Sequence, residues 1–316
     1  MFGKRTDKFL NHLIFQHKMT KISVIGAGNL GAAIANDIAL RDIVQEIVLV
    51  DIKKEMAEGQ AADIRQALPF KNRTNVYYGD YADITNSAVI IITAGKPRTA
   101  EMSDRLQLAE INLKIVGSIV EQIKKYSPKS IIITITNPMD IINHYIYRQG
   151  FPREKVIGSG GQLDSSRLRV TLGFPEKDVE AYVLGEHGQN QVALMSQVKI
   201  DGKKVDFTPR EKEEVRLKSR ESALDVIKKK GSTIFAPAAN TGDMVEAIIK
   251  DRKRLMACSV NLEGEYCLED VSLGVLIILG RKGIEIIEEW ELSEHENELL
   301  QDAAGKLKEF YTSLVK

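Results

Sequence analysis

The chain has 316 residues, enough for about two domains, and its 43% hydrophobic and 28% charged residues exclude global disorder. Forty-four basic residues balance forty-four acidic ones, so no bulk charge points to nucleic acid or to an acidic membrane surface. Two cysteines, Cys258 and Cys267, exclude a disulfide framework, lack zinc-ligand spacing and suit a reducing, cytoplasmic compartment.

Residues 1–18 carry Lys4, Arg5, Lys8 and Lys18 among Phe9, Leu10, Leu13 and Phe15. They lack the unbroken apolar core of a secretory signal and the Ser-rich, acid-free makeup of a transit peptide. They read as a loosely attached extension, with Met19 as a second candidate start. No apolar run approaches a membrane span; Ala88–Ile92 is among the longest.

Short apolar runs then alternate with amphipathic stretches. Ile22–Ile25 reads as a buried strand, and Leu30, Ile34 and Ile38 recur at the spacing of one helix face. Further strands are expected at Ile47–Val50, Val76–Tyr78, Ala88–Ile92, Ile131–Ile135 and Val156–Ile157. Continuous apolar strands separated by helical crossovers predict a parallel sheet covered on both faces, a doubly wound α/β domain of the Rossmann type over residues 19–158.

Residues 159–316 change character and predict an α+β domain. Val198–Ile200 and Lys204–Phe207 flank Asp201-Gly202, a pair suited to a tight antiparallel hairpin. Thr208-Pro209-Arg210-Glu211 supplies a cap, a first-turn proline and a box-closing acid, so a helix starts there. Ser293 and Glu296 repeat the capping pattern before a last helix carrying Leu299, Leu300, Leu307 and Leu314. With no repeats and no low-complexity linker, the two domains are expected to pack tightly around a cleft.

Gly26-Ala27-Gly28-Asn29-Leu30-Gly31 follows the first strand and opens the first helix. Gly26 permits a tight turn, Gly28 lets backbone approach a pyrophosphate, and Gly31 lets helix pack on strand. The helix N-terminus then offers free amides to the phosphates. Asp51 ends the second strand twenty positions beyond Gly31, the offset of an acid that binds the adenosine ribose diol. A carboxylate there repels a 2′-phosphate, which favours NAD over NADP, although Lys53 and Lys54 stand close by in sequence. The same features also fit a tight turn with a merely solvated Asp51.

Leu184-Gly185-Glu186-His187-Gly188 flanks a histidine with glycines, which lets an imidazole face a ligand. Hydride transfer between an alcohol and NAD requires a proton acceptor, and histidine titrates nearest neutrality. Asp164 is a candidate to orient His187, and Arg167, three residues on, shares its helix face. One can hold the base while the other grips a substrate carboxylate. That spacing is equally the spacing of a plain intrahelical salt bridge.

Taken together these motifs resemble the NAD-dependent malate dehydrogenases of the lactate-dehydrogenase-like type, from about Lys21 to the C-terminus. The resemblance also rests on Thr93-Ala94-Gly95-Lys96-Pro97-Arg98, Thr136-Asn137-Pro138-Met139-Asp140, Gly231-Ser232-Thr233 and Gly264-Glu265-Tyr266. It implies reversible oxidation of (S)-malate to oxaloacetate with NAD as cofactor and no metal, by a homodimer or homotetramer. In its light His187 corresponds to the proton donor and acceptor, and Asp164 to its orienting carboxylate. Arg167 matches the arginine on the carboxylate beside the reacting carbon, and Asn137 a residue contacting the substrate oxygen near the nicotinamide. Arg98 corresponds to the arginine for the second carboxylate, and Arg105 to the mobile-loop arginine that polarises the carbonyl. Asn112 and Asn137 join Gly26, Gly28, Gly31 and Asp51 on the cofactor side.

Two departures stand out. Arg98 and Arg105 are seven positions apart where the family normally has six, which reads as one residue inserted in the loop tip. Gln189 and Asn190 follow the histidine motif where the family has an acid and a hydroxyl residue. Thr233 leans toward the lactate enzymes, in which a threonine is usual. Arg98 outweighs it, because an unpaired guanidinium facing a methyl group costs about 3 kcal/mol, against about 1–3 kcal/mol at most for one pocket methyl or hydroxyl. The rival readings are a dehydrogenase for lactate or another 2-hydroxy acid and a non-catalytic NAD-binding module.

Overall fold

The computed structural model describes residues 20–96, 105–174 and 177–315. The extension at 1–18 and Arg98 lie outside the described residues. The first half runs β1 (Lys21–Ile25), α1 (Asn29–Leu40), β2 (Glu46–Val50), α2 (Lys54–Gln66), β3 (Asn75–Tyr78), β4 (Val89–Ile92), α3 (Arg105–Tyr126), β5 (Ile131–Thr134), α4 (Met139–Arg148) and β6 (Val156–Gly158). These strands lie parallel in the order β3-β2-β1-β4-β5-β6, the doubly wound Rossmann arrangement.

Alternation along each strand explains why the strands are apolar throughout. Ile22, Val24, Ile47, Leu49, Val89 and Ile91 face one core with Ile34 and Ile38 of α1. Their neighbours Ile25, Val48, Val50, Ile90 and Ile92 face another with Val116, Val120 and Ile123 of α3. Both faces are covered, so no position is left for a polar residue to repeat.

The second half continues with α5 (Gly160–Leu172), β7 (Val179–Glu180), β8 (Val183–Gly185), β9 (Gln191–Ala193), β10 (Lys199–Ile200), β11 (Lys203–Lys204), α6 (Pro209–Lys230), α7 (Phe235–Ile249), β12 (Arg254–Glu263), β13 (Glu269–Gly280), β14 (Gly283–Glu288) and α8 (Glu294–Leu314). Strand β12 pairs antiparallel with β6 through Ser259 and Gly158, so the sheet passes without a break into β12-β13-β8-β9. Met256, Val260, Leu273 and Val275 accordingly share a core with β1 and α1.

The hairpin forms with Asp201 and Gly202 both at positive φ, but its second arm is shorter than the sequence suggests. Only Lys203 and Lys204 pair with β10. After Val205 donates to the Val198 carbonyl at 3.0 Å, Val205 and Phe207 turn onto a small core with Leu168, Val179 and Met195. Thr208 then caps α6 and Ser293 caps α8, each through a reciprocal box with Glu211 or Glu296. Arg41 at the end of α1 donates to Asp37 at 2.6 Å, Asp243 at 2.7 Å and Glu246 at 3.2 Å, and so clamps α1 to α7.

Candidate active site

The glycine-rich turn connects β1 to α1. Gly26 has φ of +103°, and a Cβ on Gly31 would lie 1.8 Å from the Gly26 carbonyl oxygen, so the close packing of helix on strand needs glycine there. Gly28 has nothing within 4 Å of its Cβ direction and stands as the N-cap of α1, where no side chain caps the helix. Free amides facing open space are what an approaching pyrophosphate requires. Asp51 accepts the Ala27 amide on Oδ2 at 2.7 Å and the Lys53 amide on Oδ1 at 2.8 Å. Those bonds fix its carboxylate beside the turn and leave lone pairs for a diol. Lys54 is turned to Asp80, 3.3 Å away. These residues fit a dinucleotide.

Asn112 on α3 is buried and holds backbone from two loops. Its Oδ1 accepts the Lys96 amide at 2.7 Å, and its Nδ2 donates to the Asn137 carbonyl at 2.7 Å and the Lys96 carbonyl at 3.2 Å. Asn137 itself is exposed, before a cis peptide to Pro138. Arg105 is the first residue of α3.

His187 sits in the turn between β8 and β9. Its Nδ1 lies 2.7 Å from Asp164 Oδ2, while Arg167 Nη1 donates to Asp164 Oδ1 at 2.8 Å. One carboxylate on α5 therefore serves both the imidazole and the guanidinium. The i,i+3 salt bridge and the histidine partnership are the same feature. Asp164 is 2% exposed, whereas the His187 and Arg167 side chains keep 18% and 16%. The carboxylate is thus sealed in and both cationic groups reach outward.

Several residues to which the sequence assigned no role build this geometry. Ser165 accepts the Val183 amide at 2.9 Å, pinning β8 to α5. Asn190 donates its side-chain amide to the buried Glu186, and the Asn190 carbonyl accepts the Glu186 amide at 3.2 Å, closing the turn. Asp140, in the first turn of α4, accepts the His187 backbone amide on Oδ2 at 2.7 Å. Gly160 opens α5 against the imidazole, where a Cβ would fall 2.4 Å from His187 Cγ. All of them lie in or beside stretches that stand out in sequence, but the partner of each is visible only once the turn is folded.

Burial disfavours the imidazolium, but the charge and hydrogen bond of Asp164 and the charge of Asp140 outweigh it. The His187 pKa therefore lies above its usual value, despite opposition from Arg167. The arrangement can hold a proton near neutrality, in one fixed tautomer, beside an arginine suited to a carboxylate.

Residues 20–158 match the lactate/malate dehydrogenase NAD-binding domain, and residues 161–315 match the alpha/beta C-terminal domain of the same enzymes. The chain belongs to the lactate/malate dehydrogenase family. Within that family it is 43% identical to a malate dehydrogenase of Natronomonas pharaonis, over 94% of this chain and all of that protein. It is 36% identical to an L-lactate dehydrogenase of Lactobacillus helveticus, over 93% of this chain and 94% of that protein. The solved structure of a malate dehydrogenase from Archaeoglobus fulgidus in complex with NADH superposes with a TM-score of 0.87. That match has 36% identity and covers 94% of this chain and all of the other. The glycine turn and Asp51 fall in the part matching the NAD-binding domain, and Asp164, Arg167 and His187 in the other part. Among the described residues, no helix is long and apolar enough to cross a membrane.

Proposed function

We propose that this chain oxidises (S)-malate to oxaloacetate reversibly with NAD, with His187 moving the proton. The observation that carries the reading is the single buried carboxylate of Asp164 shared between His187 and Arg167. It sets a proton acceptor and a carboxylate anchor side by side. The higher identity to malate than to lactate dehydrogenases supports the diacid.

Gly26, Gly28, Gly31 and Asp51 hold the cofactor, and Asn112 acts with them by fixing the backbone of Lys96 and Asn137. Bound NAD supplies the acceptor for the hydride that leaves the alcohol carbon. His187 takes the hydroxyl proton on Nε2, because Nδ1 is committed to Asp164. Arg167 grips the carboxylate beside the reacting carbon as a planar fork, and Arg98 pairs with the distal one. Arg105 polarises the carbonyl, and Asn137 orients the substrate oxygen.

Two free thiols, one buried and one exposed, support a cytoplasmic location. Val170 of α5, Leu224 and Ile227 of α6, Phe235 of α7 and Phe174 are exposed apolar side chains, which supports assembly as a homodimer or homotetramer.

The test is NADH oxidation with oxaloacetate by the parent and by His187→Asn. Turnover by the parent, reduced about 10²–10⁴-fold in the variant with NADH affinity retained, is expected. Full activity in the variant refutes the assignment of His187.

A further inference from the structure

Helix α4, strand β13 and the end of α8 wall a cavity of about 300 Å³. Buried Ile141, Val271 and Leu307 line its closed side, and exposed Glu269, Asp270 and Thr312 form a rim open to solvent. Asp140 borders it, with its carboxylate engaged by the His187 amide. None of Asp51, Asp164, Arg167 and His187 lines it, so it is distinct from the cleft of the proposed reaction.

The polar groups of this cavity are incompletely paired. Asn261 of β12 donates its Nδ2 to the Leu262 carbonyl at 3.3 Å, so its Oδ1 accepts from His144 Nδ1 at 3.0 Å. Burial holds His144 toward its neutral form, which puts the one ring proton on Nδ1 and a lone pair on Nε2. That lone pair lies 3.8 Å from Asp270 Oδ1. Arg148 donates to the same oxygen at 2.8 Å, yet Nε2 has no donor among the described residues. Tyr311 meets the imidazole edge-on, with ring centroids 4.5 Å apart, and helps to fix its plane. Ser272 is 1% exposed, and its Oγ is buried without a hydrogen-bond partner among the described residues. The Lys308 ammonium and the Glu269 carboxylate line the same cavity, but neither pairs with the other or with another described group. Buried or half-buried polar groups left in this state call for a partner from outside.

We propose that this cavity binds a small zwitterion of the α-amino acid class, its ammonium on His144 Nε2, Asp270 and Glu269 and its carboxylate on Lys308 and Ser272. An ammonium brings the three donors that an imidazole lone pair and two carboxylates lack. A carboxylate matches the remaining cation and hydroxyl. A simple anion would meet the repulsion of Glu269 and Asp270, and a simple cation would meet that of Lys308. A molecule carrying both charges meets neither. The volume lies at the lower end of small-molecule sites, which suits a ligand of this size. The site stands whether or not the proposed dehydrogenase activity does.

The experiment is saturation-transfer NMR of the full chain with each of the standard amino acids as probe, followed by calorimetric titration of the strongest binder. Binding with a Kd of about 10 µM to 1 mM is expected. The matching acid without the amine and the matching amine without the carboxylate should each bind about tenfold more weakly or worse. Lys308→Met and Glu269→Gln should weaken the amino acid by a similar factor, with thermal unfolding midpoints near that of the parent because both side chains reach the surface. Absence of binding by every amino acid overturns the inference, as does binding untouched by both substitutions. Displacement of the amino acid by (S)-malate also overturns it, since that places the amino acid in the proposed substrate site. A chain that binds through Lys308 and Glu269 yet turns over no 2-oxo acid upholds the cavity and refutes the proposed activity instead.

Discussion

Arg167 donates to Asp164 Oδ1 at 2.8 Å while Asp164 Oδ2 holds His187 at 2.7 Å, so the guanidinium and the imidazole lean on one carboxylate. The proton affinity of the base and the aim of the anchor are therefore linked. Removing the charge of Asp164 leaves burial and Arg167 acting against the imidazolium, opposed by Asp140. Asp164→Asn is expected to lower kcat by about 10²–10⁴-fold and to weaken oxaloacetate binding as Arg167 loses its partner. Steady-state kinetics of the variant check both effects.

The raised pKa of His187 fixes the sign of the pH dependence in each direction. Reduction of oxaloacetate needs the imidazolium, so its kcat/KM should hold through neutrality and fall once pH rises past a value above 6.5. Oxidation of malate needs the neutral ring and should rise over the same interval. Profiles measured both ways with one buffer series check the opposition.

A methyl group at Gly160 has no room beside the imidazole, since its Cβ would fall 2.4 Å from His187 Cγ and 2.7 Å from Met139 Cε. Met139 can bend away, but a ring fixed by Asp164 cannot do so without losing its aim. Gly160→Ala should cost about 10²-fold in kcat with a smaller effect on NADH affinity. Stopped-flow NADH binding beside turnover separates the two.

The clamp from α1 to α7 has an acid limit. Hydrogen bonds from Lys250 and Arg252, with Arg41 adding to them, hold the Glu246 pKa at about 2, below its usual value. A depressed folded-state value means stability that is present above pH 4.5 and is lost as pH falls toward 2. Thermal unfolding should show that loss in the parent. Arg41→Met, which strips the cluster of its central cation, should be about 1–3 kcal/mol less stable at pH 7 and less sensitive to acid.

Much of the first half was legible because its strands differ from its helices in period and length. The offset from Gly31 to Asp51 was equally plain, since both lie in one β-α-β unit. Strands β12 and β13 were not foreseen. They are buried on both faces, so Leu255–Val260 and Val271–Leu279 carry no alternation to separate a strand from a buried helix. The pairing of Asp164 with His187 could be guessed from chemistry. The tether from Asp140 could not, because it joins a side chain to a backbone amide, and backbone amides leave no mark on a sequence.

The claim that this site works on a four-carbon diacid is tested most directly by kcat/KM for oxaloacetate against pyruvate, with NADH, in the parent and in Arg98→Gln. A preference for oxaloacetate of about 10²-fold or more in the parent, collapsing in the variant, is the expected result. Equal or better use of pyruvate by the parent, or a ratio untouched by the substitution, would contradict it.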